Sequence, residues 1–347
     1  MPQAKNAVGQ ERKYWGVIPV MPAPMLSGLT KQMEDIGFEG ATALQIYGPA
    51  FPSLAVASAA TTRLKVATGV AVAGSRSPFE TAMIAMDMDR ISEGRFILGL
   101  GTGVSSVNVG SYGVPDYKLI TQLKDTVAAV RYIVANAHKG LKPYEGAYYK
   151  ADFKELMLTA PPVRENLPIW VAALRQKLTD VSLEIADGLM VHSLWSVGYT
   201  VEQGPRIAAK IAEFGRKRTD IEINAWPWVA VNDDKQQAIN DARPTVAGYA
   251  GIKEYEPFFA ALGFEKEARL CQTGDQANSL AIMHHVPDEM VEAFCACGSV
   301  EQVLEKLEPY WSVADSLCPM APYRHFTMEQ HMFYGAGLHK LVAAAKR

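Results

Sequence analysis

The sequence contains few cysteines and no long apolar run. Its four cysteines, Cys271, Cys295, Cys297 and Cys318, do not have the spacing of a disulfide framework in a chain of 347 residues. No window approaches the roughly 20 uncharged apolar residues that a membrane helix needs. The N-terminus also lacks the apolar core of a signal peptide. We therefore expect a cytoplasmic protein with reduced thiols and no membrane association.

An excess of charge of one sign is also missing. The 34 lysines and arginines nearly balance the 37 aspartates and glutamates, which gives a formal net charge of −3 at pH 7. The basic residues are scattered along the chain, so the composition gives no indication of nucleic-acid binding, and we expect no such partner. Hydrophobic residues make up 49% of the chain, which is ample for a large core.

Several catalytic motifs are absent. There is no Gly-Lys-Ser/Thr of a Walker loop and no Gly-x-Ser-x-Gly elbow of a serine hydrolase. Gly99–Gly103 has the sequence Gly-Leu-Gly-Thr-Gly but lacks the third glycine of a dinucleotide-binding loop, because position 104 is valine. The pair Cys295 and Cys297, with His284-His285 nearby, lacks zinc spacing, so we expect buried thiols and no metal site.

The most informative stretch that is present runs from Leu64 to Gly103. A β-branched apolar run, Leu64–Val72, is followed by a helical pattern from Pro78 to Ile91 and by a second apolar run, Phe96–Gly101. Two buried parallel strands joined by a helix have this pattern. Both runs end in small residues, and ligands of α/β enzymes bind at such strand ends.

Strand and helix signals alternate along nearly the whole chain. Eight predicted strands, each followed by helical material, indicate a (β/α)8 TIM barrel, with a doubly wound sheet as the structural competitor. Insertions interrupt the alternation near residues 141–165, where a hairpin is predicted, and near residues 235–295, which read as helical. No linker splits the chain, so we expect one domain over residues 1–347. The predicted strands are Tyr14–Pro19, Gly40–Leu44, Leu64–Val72, Phe96–Gly101, Ile169–Ala172, Gly188–Val191, Ile221–Val231 and Asp315–Met320.

These motifs resemble those of the bacterial luciferase-like superfamily, and within it the branch of oxidoreductases that use coenzyme F420. The most specific segment is Asp89–Phe96 (Asp-Arg-Ile-Ser-Glu-Gly-Arg-Phe), followed by Gly99–Gly103. Further similarity lies in Glu34–Glu39, Ala67–Val70, Arg76–Pro78, Pro168–Ala173 and Ala186–Gly188. The resemblance implies a luciferase-like barrel with insertions that binds F420, or alternatively FMN, without a covalent link at the C-terminal barrel face.

The resemblance also assigns the cofactor-binding residues. In the F420 branch the third strand ends in a non-prolyl cis peptide beneath the central ring, which corresponds to Gly69-Val70 here. Arg76 follows it, Gln45 ends the second strand, and the fifth strand supplies backbone N–H groups for the cofactor phosphate. The expected cofactor-binding residues are Gln45, Gly69, Val70, Arg76, Gly101, Thr102, Gly103, Ala172, Ala173, Leu174 and Arg175.

The chain departs from the pattern where some F420-dependent dehydrogenases carry their acid and base. Gln45 and Ile46 stand in place of Asp-His, and Val104 stands in place of a glutamate. Sugar-phosphate dehydrogenation by that pair is therefore not expected. We expect Tyr47, Tyr112 or His192 to act as the catalytic proton donor. His192, which directly follows the sixth strand, is favoured because histidine titrates near neutrality. A structural role for His192 is the alternative.

The sequence thus predicts a flavin-type oxidoreductase. The leading prediction is F420-dependent hydride transfer to or from a small organic substrate. One alternative is an FMN-dependent luciferase-like monooxygenase that uses reduced FMN and O2, and a second is a non-catalytic flavin-binding protein. The family resemblance implies a homodimer.

Overall fold

The computed structural model describes residues 5–46, 48–114, 117–274 and 278–346, without the side chain of Ser106. The strands are β1 (Lys13–Val17), β2 (Gly40–Ala43), β3 (Lys65–Thr68), β4 (Ala71–Val72), β5 (Phe96–Gly101), β6 (Tyr144–Glu145), β7 (Lys150–Ala151), β8 (Ile169–Ala173), β9 (Gly188–Val191), β10 (Glu222–Ala225), β11 (Trp228–Val231), β12 (Cys295–Gly298) and β13 (Ser316–Leu317).

Helices alternate with these strands. They are α1 (Ala23–Ile36), α2 (Phe51–Ala60), α3 (Pro78–Ile91), α4 (Ser105–Gly110), α5 (Leu119–Asn136), α6 (Gln176–Ile185), α7 (Val197–Glu213), α8 (Lys235–Ala250), α9 (Glu256–Ala260), α10 (Glu265–Thr273), α11 (Ser279–Ile282), α12 (Asp288–Phe294), α13 (Val300–Leu307) and α14 (Met328–Ala345). In the part of the chain that the structure describes, no helix is long and apolar enough to cross a membrane.

The main sheet has the hydrogen-bonding order β3-β2-β1-β13-β10-β9-β8-β5-β4, and β3 also pairs with β5. The β3–β5 pairing closes the order into a ring, and β3 and β4 are two pieces of one strand, so the ring has eight strand positions. Wherever the register is defined, the pairing is parallel; Trp15 lies opposite Gly40, for example, and Leu98 opposite Ile169. Strands β2 and β5 are buried over their whole length, as in a barrel covered by helices. The predicted (β/α)8 TIM barrel is confirmed.

Two predicted strands were wrong in detail. The single strand predicted over Leu64–Val72 is two strands, β3 and β4, separated at Gly69 and Val70. The strand predicted over Ile221–Val231 is also two, and its second half pairs with Cys295–Gly298 in a separate two-stranded sheet. Its partner strand, β12 (Cys295–Gly298), was not predicted, and both of its thiols are buried.

The inserted hairpin is held by one buried carboxylate. Strands β6 and β7 pair antiparallel within residues 141–165, where the sequence predicts a hairpin. Asp125 on α5 accepts hydrogen bonds from the backbone N–H groups of Tyr148 (2.7 Å) and Tyr149 (2.6 Å) and from the Tyr144 hydroxyl (2.9 Å). A side chain on Gly146 would collide with this carboxylate, so glycine is required there.

The chain divides into two compact units. In described residues, the first unit comprises the segment up to Tyr14, Val191–Arg206 and the segment from Asn224 onward, and the second unit comprises Trp15–Met190 and Ile207–Ile223. The first unit contains β11–β13 with α8–α14. The second contains β2–β8 with α1–α6. The sequence-based expectation of one domain stays a prediction.

Candidate functional site

The third barrel strand, formed by β3 and β4 in the second unit, carries a one-residue bulge. Val66 and Ala67 lie opposite Phe96 and Ile97, but Ala71 lies opposite Leu100, so the register between the two strands shifts by one residue. Such bulges re-aim the backbone and are common next to active sites. The Gly69-Val70 peptide bond within the bulge is cis, as the family resemblance implies.

Strand β5 accommodates this bulge because two of its residues have no side chain. A Cβ on Gly99 would lie 1.8 Å from the Thr68 carbonyl oxygen, and a Cβ on Gly101 would lie 2.5 Å from Val70 Cγ2. The Thr68 hydroxyl hydrogen-bonds to both backbone polar groups of Gly99. It accepts from the Gly99 N–H at 2.8 Å and donates to the Gly99 carbonyl at 2.7 Å.

Gln45, after β2, connects to the bulge through hydrogen bonds. Its Oε1 accepts from the backbone N–H of Val72 at 3.1 Å and from Arg76 Nη1 at 3.0 Å, and its Nε2 donates to Ser75 Oγ at 3.1 Å. Ser75 Oγ in turn donates to the Val72 carbonyl at 2.8 Å. The structure therefore brings together two of the expected cofactor-binding residues, Gln45 and Arg76.

Arg76 carries a positive charge that no carboxylate among the described residues balances. Its guanidinium bonds to neutral groups, the Gln45 amide and Ser75 Oγ (3.1 Å), and lies over the Phe51 ring at 5.4 Å. Within the described ranges, Arg76 forms no ion pair. A half-buried guanidinium in this position is suited to an anionic or oxygen-rich group.

The end of β5 lies next to an unpaired acceptor that the sequence did not reveal. Gly103 has φ +64°, and a Cβ there would lie 2.5 Å from Asn108 Oδ1 and 3.0 Å from Val72 Cγ1. Asn108 is 2% exposed, and its Nδ2 donates to the Thr102 carbonyl at 2.8 Å. Its Oδ1 has no hydrogen-bond partner in the described residues. In the sequence, the signal for this acceptor is the asparagine that follows the Gly-Thr-Gly segment.

Strand β8 leads directly into a helix N-terminus. Ala172 and Ala173 end β8, Leu174 is half-buried, and Arg175 is the exposed N-cap residue of α6. The first N–H groups of a helix are unpaired within the helix and favour anions. The expected phosphate-binding segment therefore lies at a helix N-terminus of suitable chemistry.

The residues around the bulge fit an F420 or FMN ring system. These cofactors have a planar ring with carbonyl oxygens and one N–H on its polar edge, and a phosphate on the tail. Arg76 is a donor for such oxygens, the unpaired Asn108 Oδ1 is an acceptor for such an N–H, and Gly103 presents backbone without a side chain. Val72 lies between the two, because its backbone N–H donates to Gln45 Oε1, which also accepts from Arg76, and its Cγ1 borders Gly103.

Among the described residues of these strand ends, none is a carboxylic acid or a histidine. Ile46 and Val104, at two positions where the family resemblance implies ionisable residues, are apolar side chains that are 52% and 46% exposed. Tyr112 donates its hydroxyl proton to the Ile46 carbonyl at 2.9 Å. Tyr47, one of the expected catalytic residues, lies outside the described residues.

His192, the favoured catalytic residue, lies in the first unit directly after β9. Its Nδ1 accepts from the backbone N–H of Leu194 at 3.1 Å, which assigns the proton of the neutral ring to Nε2. Burial lowers the pKa of His192 to about 4. The expectation that His192 titrates near neutrality is therefore wrong, since burial disfavours the charged ring, and Nε2–H is the donor that it offers at pH 7.

No metal site accompanies these groups. Within residues 5–46, 48–114, 117–274 and 278–346, no group of histidines, cysteines and carboxylates is arranged to hold a metal ion. Cys295 and Cys318 are buried, and burial raises the pKa of each thiol well above its usual range. Such thiols are inert rather than nucleophilic.

Comparison with known proteins decides the family. The sequence profile described as luciferase-like monooxygenase matches residues 8–315. The chain belongs to this family. The assignment accounts for the barrel and for the strand-end motifs together.

Individual relatives of this luciferase-like chain are distant. A 5,10-methylenetetrahydromethanopterin reductase of Archaeoglobus fulgidus is 25% identical over 303 residues, which cover 84% of this chain and 87% of the relative. The structure of the coenzyme F420-dependent tetrahydromethanopterin reductase of Methanopyrus kandleri superposes with a TM-score of 0.75 at 21% identity, covering 95% and 98% of the two chains. The FMN-bound oxygenating constituent of 3,6-diketocamphane monooxygenase from Pseudomonas putida has a TM-score of 0.67 at 15% identity, covering 96% and 98%.

Proposed function

We propose that this luciferase-like chain is an F420-dependent oxidoreductase that moves a hydride to or from a small organic substrate. The observation that carries the proposal is the group of residues around Val72. An unbalanced guanidinium (Arg76), an unpaired buried acceptor (Asn108 Oδ1) and backbone without side chains (Gly101 and Gly103) adjoin one bulged strand end. The reductase relatives and the F420-branch motifs support F420 over FMN.

In this proposal the protein mainly binds and orients. F420 supplies, when bound, a ring carbon that accepts or donates a hydride. Arg76, held by Gln45 and Phe51, would bind the oxygen-rich edge of the ring, and Asn108 Oδ1 would accept from the ring N–H. The segment Ala172–Arg175, which joins the end of β8 to the N-terminus of α6, would bind the phosphate. Fixed donors and acceptors raise the rate by holding the reacting carbons close together with water excluded.

His192 enters this proposal as a hydrogen-bond donor, because its neutral ring has no acidic proton to give. We propose that His192 Nε2–H donates a hydrogen bond to the substrate oxygen whose charge changes during hydride transfer. A neutral imidazole can polarise a carbonyl in this way, and its low pKa keeps it uncharged across the physiological range. Tyr47, another expected catalytic residue, is the candidate for the group that gives the proton itself.

The test is reconstitution of the purified protein with each cofactor. Oxidised F420 and FMN are titrated separately, and the retained cofactor is then reduced and mixed with small ketones, aldehydes and enones, with and without oxygen. We expect F420 to bind more tightly and its reduced form to be oxidised only when an organic acceptor is present. Tight FMN binding with oxygen uptake would instead identify a monooxygenase. F420 binding without turnover of any acceptor would identify a binding protein.

Arg76→Gln is the matched variant for this test, because glutamine keeps the hydrogen bond to Gln45 within reach but removes the charge. F420 affinity should fall while the fold is retained. If wild type and Arg76→Gln bind F420 equally, the proposed cofactor site is wrong even where turnover is seen.

A further inference from the structure

Five half-buried side chains form an aromatic and basic group in the first unit. They are His192 after β9, Tyr249 at the end of α8, Tyr255, Tyr323 and Arg324. We call this group the tyrosine cluster. The His192 ring lies 5.8 Å from the rings of both Tyr249 and Tyr255, and these two tyrosine rings are stacked at 5.7 Å. Half-burial of all five side chains leaves part of each accessible to a small molecule.

Arg324 gives the tyrosine cluster a positive charge. Its guanidinium lies over the Tyr249 ring at 5.8 Å and against Gly248, where a Cβ would lie 2.5 Å from Nε. The backbone N–H groups of Tyr323 and Arg324 both donate to Thr245 Oγ1, at 3.1 and 3.2 Å, which fixes the position of this loop on α8. In the part of the chain that the structure describes, no carboxylate pairs with Arg324, and its buried Nε has no acceptor.

The hydrogen-bonding capacity of the cluster is dominated by donors. Trp228, 1% exposed, packs edge-on against Tyr249 at 4.7 Å, and its indole N–H also has no acceptor among the described residues. His192 offers Nε2–H, because its Nδ1 is already an acceptor. The hydroxyls of Tyr249 and Tyr323 share one hydrogen bond of 3.1 Å, so one of the two protons is left over. Buried donors without acceptors are costly, and a ligand that brings acceptors relieves that cost.

We propose that the tyrosine cluster binds the carboxylate or phosphate group of an organic substrate with an apolar body, and that Arg324 is its ionic partner. The half-buried Arg324 guanidinium and the His192 Nε2–H provide donors for the anion, and the aromatic rings provide apolar surface for the body of the molecule. The claim that the cluster binds an anion depends only on the residues of the tyrosine cluster. The further claim that this anion is the substrate rests on the proposed function, because His192 belongs to the cluster and to the proposed catalytic residues.

The experiment compares benzoate with benzamide, which has the same shape but no charge. Binding of each to the full-length protein is measured by calorimetry in wild type, Arg324→Gln and Arg324→Lys. We expect benzoate to bind wild type at least tenfold more tightly than benzamide, since hydrogen bonds to charged groups are worth more than the roughly 1.4 kcal/mol that a factor of ten represents. Arg324→Gln should lose this preference and Arg324→Lys should keep part of it.

Two controls keep the result interpretable. Circular dichroism and thermal unfolding establish that each variant is folded, and Arg90→Gln removes an exposed arginine outside the cluster, so it should leave benzoate binding unchanged. Equal affinity for benzoate and benzamide in wild type, or equal benzoate affinity in wild type and Arg324→Gln, would overturn the proposal. F420 is titrated into the same samples to separate the two proposals. If wild type binds F420 but shows no preference for benzoate, only the proposed anion site is contradicted.

Discussion

The Thr68 hydroxyl offers a quantitative test of how the barrel accommodates the bulge. Thr68→Val replaces the hydroxyl by a methyl group of nearly the same size. It removes the hydroxyl's hydrogen bonds to the Gly99 N–H (2.8 Å) and carbonyl (2.7 Å) in a site where Thr68 is 0% exposed. A buried donor that loses its partner costs about 1–3 kcal/mol, so the free energy of unfolding should fall by about that amount.

The assay is urea unfolding of apo-protein followed by tryptophan fluorescence and circular dichroism together, because a chain of this size must first be shown to unfold in one transition. Thr68→Ser is the matched control. Serine keeps the hydroxyl and loses one buried methyl group, which costs about 1 kcal/mol. A valine variant as stable as wild type, or more stable than the serine variant, would refute this account of the bulge.

Three further predictions concern single side chains. Arg76→Gln should weaken F420 binding about tenfold, a factor worth roughly 1.4 kcal/mol, with Arg76→Lys intermediate; equal affinities in a fluorescence titration would contradict it. The imidazole NMR signal of His192, identified as the one that disappears in His192→Asn, should titrate near pH 4 in wild type. The free energy of unfolding should decrease as the pH is lowered from about 6.5 to about 4, because the unfolded chain binds a proton that the folded chain does not. A titration midpoint near 6.5 would refute this. Asp125→Asn should cost about 1.5–3 kcal/mol and speed proteolysis within residues 141–159, whereas Asp152→Asn, in an exposed ion pair, should change neither.

Much of the barrel was predictable because its elements have strong local signals. Phe96–Gly101, Gly188–Val191 and Pro78–Ile91 are observed at the predicted bounds. Short apolar runs between turn residues read clearly as buried strands, and Ser77 caps α3 by accepting from the Glu80 N–H at 3.0 Å. Family membership was likewise visible in Asp89–Phe96 and Gly99–Gly103.

Other features depended on contacts between distant residues. The break in the third strand and the pairing of Trp228–Val231 with Cys295–Gly298 are set by partner strands, and no local pattern encodes a partner. The low pKa of His192 follows from burial, which the residue type does not reveal. Asn108 and Arg324 stand out only because the fold leaves their polar atoms unpaired. The cofactor-binding roles, the single domain and the homodimer stay predictions.

The central claim is that F420 binds at the ends of the third and fourth barrel strands. Hydrogen–deuterium exchange with and without F420 tests it most directly, read on peptides covering residues 64–76 and 99–112 and on the hairpin at residues 141–159 as an internal control. The account predicts slower exchange in the first two segments and no change in the hairpin. Protection that is absent from both strand ends, or that FMN produces and F420 does not, would contradict it.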